Sequence, residues 1–137
     1  MTLKKFNTVD QETARQDVEK WLDIRRVTEK QRANIGEAIT GLVELFMEGR
    51  LSLNADGEMV QRLLFPEAVN GIEALTYKSR LRVDEIEQCR ALSKKNEYEY
   101  QRQAIAKLTN VAPAEIRGMD SVDWAVAQAV FGFFFIM

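Results

Sequence analysis

Apolar residues in the first third of the chain recur at helical spacing. Ala14, Val18, Trp21, Leu22 and Val27 form one stripe, with Arg15, Asp17, Glu19, Lys20 and Asp23 between them, so the spacing predicts a helix over about 10–27. Thr8 or Asp10 can cap it, and Thr8 with Gln11 fits a capping box. A second box, Thr28 with Gln31, opens a helix over 28–48. Its stripe is wider: Ile35, Ala38, Ile39, Leu42, Val43, Leu45, Phe46 and Met47. This helix is therefore expected to be the more buried. Gly49 is its stop signal.

The period then shortens. Leu51 and Leu53 alternate with Arg50, Ser52 and Asn54, and Asn54–Gly57 carries turn chemistry. Met59–Phe65 completes a hairpin. After Val69-Asn70-Gly71, partial alternation predicts a strand from about Glu73 to Arg82. Helical spacing returns with Val83, Ile86, Cys89 and Leu92, and again with Tyr98, Gln101, Ile105 and Leu108. Pro113 opens a short helix that Gly118 ends. Asp120 or Ser121 caps a last helix with the stripe Val122, Val126, Ala129, Val130 and Phe133. The pattern predicts a mainly α fold of about five helices with a small β-hairpin or three-strand element in the middle. The alternative is an all-α chain in which 58–64 and 72–82 are helical, since Glu, Leu, Arg and Ala favour helix. One domain is expected over 1–137: a helix pair at 1–49, a strand region at 50–82 and C-terminal helices at 83–137.

Composition narrows the function classes. The 137 residues are 46% hydrophobic and 29% charged, with 19 basic and 21 acidic residues and a net charge of -2. That near-balance argues against a protein that coats nucleic acid or an anionic membrane. Histidine, the commonest general base and metal ligand, is missing. The single cysteine, Cys89, can form neither an internal disulfide nor a cysteine-based zinc site and reads as a small core residue. The expectation is a non-enzymatic protein with no cofactor and no metal. The uncharged stretch Trp124–Met137 is 14 residues long, short of the roughly 20 that a membrane span needs. Met1–Asn7 carries no secretory pattern. The expected place is the cytoplasm.

Two acidic groups, Asp84-Glu85-Glu87 and Glu97-Glu99, have the residue types of acid–base pairs or divalent-ion sites. Lysines and arginines surround both, which favours solvated helix faces. Tyr77–Arg82 interleaves Lys78, Arg80 and Arg82 with Tyr77 and Leu81. With acids following at once, it reads as a charged edge strand or protein contact rather than a nucleic-acid site.

The chain ends differently. Phe131, Phe133, Phe134, Phe135, Ile136 and Met137 fill six of the last seven positions. One helix face cannot hold them all. Phe131, Phe133, Phe134, Phe135 and Ile136, extended by Trp124, are therefore the candidate partner-binding residues. With the wide stripe of 28–48 they also predict a homo-oligomer.

From Leu63 onward, the order of pieces resembles the tail assembly chaperones of long-tailed bacteriophages. Leu63-Leu-Phe-Pro66 and Val69-Asn-Gly71 look like the family's strand, proline and glycine turn. Ala74-Leu-Thr-Tyr-Lys-Ser-Arg-Leu81 looks like its second strand, and Val83–Leu92 like the helix after it. Leu108-Thr-Asn, Met119-Asp-Ser-Val-Asp-Trp124 and Phe131-Gly-Phe133 look like its closing turn, aspartate-capped helix and aromatic end. The helices in front of Arg50 depart from the more compact members.

The resemblance implies a chaperone made in the cytoplasm of the infected bacterial host and missing from the mature virion. It would bind the tape measure protein, a very long helical chain, and keep it soluble while the tail tube polymerises. Many members self-associate. Many also have a longer, frameshifted form, through which the tail tube protein would be reached; three successive phenylalanines can be encoded by a slippery run of uridines. The alternative is a generic small helical interaction module or regulator.

Overall fold

The computed structural model describes residues 7–94 and 96–135. Among them are seven α-helices and one three-stranded antiparallel sheet of order β1-β2-β3. The mainly α fold with a small β element is therefore correct, and the all-α alternative is overturned.

Helix α1 (Gln11–Ile24) is capped by Asp10, whose side chain accepts from the Thr13 N–H, not by Thr8. Its stripe Ala14, Val18, Trp21 and Leu22 is buried. The second helix is two helices. Thr28 does form the capping box with Gln31, but α2 (Glu29–Asn34) ends after six residues and buries none of them. Ile35 leaves helical geometry at φ -121° and ψ 27°, and α3 (Gly36–Met47) starts afresh. Gly36, a poor helix former, sits at this break. The break lets Ile35 pack against the core while α2 stays outside.

Gly49, at φ 75°, turns the chain into β1 (Leu51–Leu53). Strands β2 (Met59–Arg62) and β3 (Ala74–Tyr77) follow. Leu51 pairs with Gln61 and Gln61 with Leu75, so Leu51, Met59, Gln61, Leu75 and Tyr77 share the buried face. Both later strands are shorter than expected. Beyond Arg62, the Leu64 and Phe65 N–H groups donate to a side chain rather than to a strand. Beyond Tyr77, the Lys78 N–H donates to the Leu108 carbonyl. A short 3-10 turn, Pro66–Val69, connects β2 and β3.

Helix α4 (Val83–Ser93) stops at Lys94, which is left-handed at φ 49°. Helix α5 (Glu97–Thr109) packs along α4 and turns Tyr100, Ala104, Ile105 and Leu108 inward. Tyr98, expected inside, is exposed. Helices α6 (Pro113–Arg117) and α7 (Ser121–Gly132) follow, and α7 runs into a 3-10 turn, Phe133–Phe135. One core cluster links α1, α3, the sheet, α5, α6 and α7.

Of the acidic groups, all but the exposed Glu87 are held in ion pairs among the described residues. Asp84 pairs with Arg82, Glu85 with Lys78 and Glu97 with Arg90. Glu99 departs from the solvated-face expectation. Half-buried, it takes Arg102, Arg117 and Gln103 together. The bond from Arg117, then that from Gln103, hold its carboxyl at about 2, below the ordinary 4.5. The folded value is the lower one. Its stabilising contribution is therefore complete above pH 4.5 and is lost as pH falls through 2. Urea midpoints are expected to drop over that window, and Glu99→Gln to remove about 1 kcal/mol of the drop. Equal acid profiles for the two proteins would show that these bonds do not couple to folding.

Candidate functional site

The last helix carries most of the predicted site. Asp120 caps α7 by accepting from the Val122 N–H at 2.9 Å. Its inner face is Asp123, Val126, Ala127 and Val130, continued by Phe133. The buried stripe is rotated from the expected one: Val122 and Ala129 are exposed.

The reason is Asp123. Its side chain is 1% exposed, a burial that a carboxylate tolerates only when bonded. Oδ1 accepts from the Leu64 N–H at 2.9 Å and Oδ2 from the Phe65 N–H at 3.0 Å. Its own carbonyl accepts from Gln61 Nε2 at 2.9 Å, and Gln61 Oε1 accepts from the Tyr77 hydroxyl at 2.6 Å. Burial, with the Asp123 charge nearby, pushes the Tyr77 phenol well above its ordinary value. This network fastens α7 to β2 and fixes which side of the helix is left outside.

That outer side has no charge. Ser121, Val122, Ala125, Ala129 and Gly132 are exposed; Trp124, Gln128 and Phe131 are half-buried along its edge. An exposed helix face ordinarily carries charged residues. Towards the C-terminal end, Ala129, Gly132, Phe133, Ile35 and Ala38 line a shallow apolar groove of about 220 Å³.

The terminal aromatics divide. Phe133 is 4% exposed and meets Trp21 edge to face, with centroids 5.8 Å apart. It belongs to the core. Phe134 is half-buried, 5.9 Å from Trp21, with the Arg25 guanidinium 3.9 Å from its ring centroid. Arg25 also donates to the Ser79 and Phe133 carbonyls. Burial, with Arg80 nearby, pulls it down to about 10. Phe131 meets Tyr100 edge to face at 6.0 Å. Trp124 lies beside Met119, Arg102 and Arg117. The structure thus brings Trp124 and Phe131 onto one edge of α7 and sends Phe133 and Phe134 across to α1. The Phe135 side chain and Ile136 lie outside the described residues.

Three features escape sequence reasoning: the Asp123–Gln61–Tyr77 network, the Arg25 clasp and the exposure of Leu64 and Phe65. Only the uncharged run from Trp124 onward is visible in the sequence, where it bears on the question of a membrane span. Among the described residues no helix is long and apolar enough to cross a membrane. The basic residues of 78–82 form no edge strand. Lys78 pairs with Glu85, Arg82 pairs with Asp84, and Arg80 donates to the Ile24 carbonyl.

Cys89 is buried beside Tyr100 and Ala104, and burial pushes its thiol up. Among the described residues no three acidic or cysteine side chains are placed to hold a metal. Every group with a resolved shift keeps at pH 7 the charge it has in water. None of them is poised for proton transfer near neutrality; the arrangement suits contact with another apolar surface. No family model, curated protein or solved structure matches this chain.

Proposed function

We propose that the protein is a phage tail assembly chaperone that binds the tape measure protein and keeps it soluble during tail assembly. The observation that carries this reading is the uncharged outer face of α7, left open from Val122 to Gly132. A holdase works by covering apolar surface, and its own binding surface must be apolar and accessible. Repeated weak contacts along one long client suit such a face better than a closed pocket would. The half-buried Trp124 and Phe131 at its edge add aromatic area. On this reading the chain acts without cofactor or chemistry, in the cytoplasm of the infected host, as a homo-oligomer. It is left out of the finished virion, and any frameshifted longer form would carry the contact with the tail tube protein.

The test is co-expression with the tape measure chain, followed by measurement of the soluble fraction of that chain. Ala125 and Ala129 are exposed, so Ala125→Asp and Ala129→Asp are expected to cost only the helix propensity of alanine, about 1 kcal/mol or less each. Both should nevertheless abolish solubilisation. Undiminished solubilisation by these variants would overturn the reading. Equal solubilisation of unrelated helical chains would replace it with the generic interaction module.

A further inference from the structure

At its N-terminal end, the open face of α7 meets a second exposed surface. Leu64 is 38% exposed, Phe65 36% and Val122 44%. The three are neighbours because Asp123, next to Val122, holds the Leu64 and Phe65 N–H groups. Three large apolar side chains thus continue the track of Ala125, Ala129 and Gly132.

Two arginines stand beside this patch. The Arg62 N–H donates to the Arg50 carbonyl at 2.9 Å, one step beyond the Leu51–Gln61 pair, so Arg50 and Arg62 lie opposite each other at the end of the β1–β2 ladder. Like charges set across a ladder repel. Lys78, Arg82, Arg90, Arg102 and Arg117 each have a carboxylate partner. Among the described residues, Arg50 and Arg62 form no such pair, although Asp17 lines the same pocket as Arg62 without reaching ion-pair distance. Arg50 reaches the Val122 carbonyl at 3.5 Å, a long contact, while its Nε is buried with no hydrogen-bond partner. The α7 face itself offers no charge to offset the two.

We infer that the Leu64–Phe65–Val122 patch and the adjoining face of α7 dock an amphipathic helix whose flank is acidic, with Arg50 and Arg62 receiving its carboxylates. The inference rests on the chaperone reading and names the chemistry of the client segment. The apolar track supplies contact area. The arginine pair supplies the selection: an acidic flank relieves the repulsion, and a basic flank adds to it. The exposed stretch from Val122 to Gly132 rises about 15 Å, or nearly three helical turns. That length takes a short helical segment and leaves the rest of a long client free for further copies.

The probe is a synthetic helical peptide of about 20 residues, leucine and alanine on one face, with glutamates along one flank. Its twin carries lysines instead. The glutamate peptide is expected to bind the full chain at least about tenfold more tightly than the lysine peptide, with a preference that shrinks as salt rises. Arg62→Glu and the double variant Arg50→Glu/Arg62→Glu should reverse the order. Arg62 is exposed, so its single variant keeps the test valid if the double variant unfolds. Equal binding of both peptides, or of neither, overturns the inference. So does a wild-type dimer that excludes the peptide and that the arginine variants dissociate, because the occupant is then a second copy. If charge preference is missing but Ala125→Asp still abolishes tape measure solubilisation, this inference fails and the chaperone reading stands. If charge preference holds but no variant affects solubilisation, the docking surface stands and the chaperone reading fails.

Discussion

Trp21→Ala is expected to cost about 3–5 kcal/mol of folding stability, the range for removing a large buried aromatic. Trp21 has no exposed surface. It is where the two ends of the fold meet. Its own helix is the first in the core, and its ring takes Phe133 and Phe134 from the far end at 5.8 and 5.9 Å. Each such edge-to-face pair adds about 0.5–1.5 kcal/mol beyond area burial. Arg25 sits 5.5 Å from the Trp21 ring centroid and clasps the same turn. Against a total stability of about 5–15 kcal/mol, the loss puts the variant near its unfolding limit. Urea unfolding followed by circular dichroism measures it, and Trp124 remains as a fluorescent reporter. Phe134→Ala, which empties a half-buried position, should cost less than half as much. A cost below about 1 kcal/mol for Trp21→Ala would mean that the Phe133–Phe135 turn is not docked on α1, because cavity and ring terms both need that contact.

The same two helices show which features were legible in the sequence. For α1 the apolar stripe predicted the buried face residue by residue, because no polar side chain on that helix has any reason to turn inward. For α7 the predicted stripe has Val122 in the core and does not include Asp123, whereas in the structure Asp123 is buried and Val122 exposed. Hydrophobic pattern cannot anticipate this. The carboxylate is inside because two backbone N–H groups, 58 and 59 residues away, have no strand partner. That deficit exists only because the β2–β3 ladder ends before Leu64. The broken second helix has a more local cause. A stripe continuous from Ile35 to Met47 looked like one helix with Thr28, yet a single nonhelical residue before Gly36 turns α2 away from the core. The Thr28–Gln31 cap was readable, since its chemistry is complete within one turn, whereas the Thr8–Gln11 box gives way to Asp10 and the Asn96 cap on the Glu99 N–H is not among the predicted ones. The candidate site was readable as composition and not as geometry. An aromatic C-terminus announced a surplus of apolar area, but only packing decides that Phe133 is spent on folding and that Val122, Leu64 and Phe65 are left over.

The Asp123 variants test whether that leftover surface depends on the buried network. Asp123→Ala removes the acceptor of two buried N–H groups. Each orphaned donor costs about 1–3 kcal/mol, and the position in the first turn of α7 loses a favourable negative charge as well. The expected loss is about 3–5 kcal/mol. Asp123→Asn is the sharper experiment, because it keeps the size. Its amide oxygen can serve one N–H group, Leu64 or Phe65, but its amide nitrogen then faces the other, donor against donor. The expected loss is about 2–3 kcal/mol, with the damage confined to one end of the sheet. Amide hydrogen exchange should show it directly: protection at Leu64 or Phe65 falls in Asp123→Asn, while Trp21 in α1 and Ile105 in α5 keep theirs. The peptide-docking surface should weaken in parallel, since those same two bonds tie Leu64 and Phe65 to Asp123, the neighbour of Val122. An Asp123→Asn protein with unchanged stability and unchanged exchange would mean that a neutral acceptor serves both donors as well as the carboxylate does. The charge of Asp123 would then have no part in setting which face of α7 is left open.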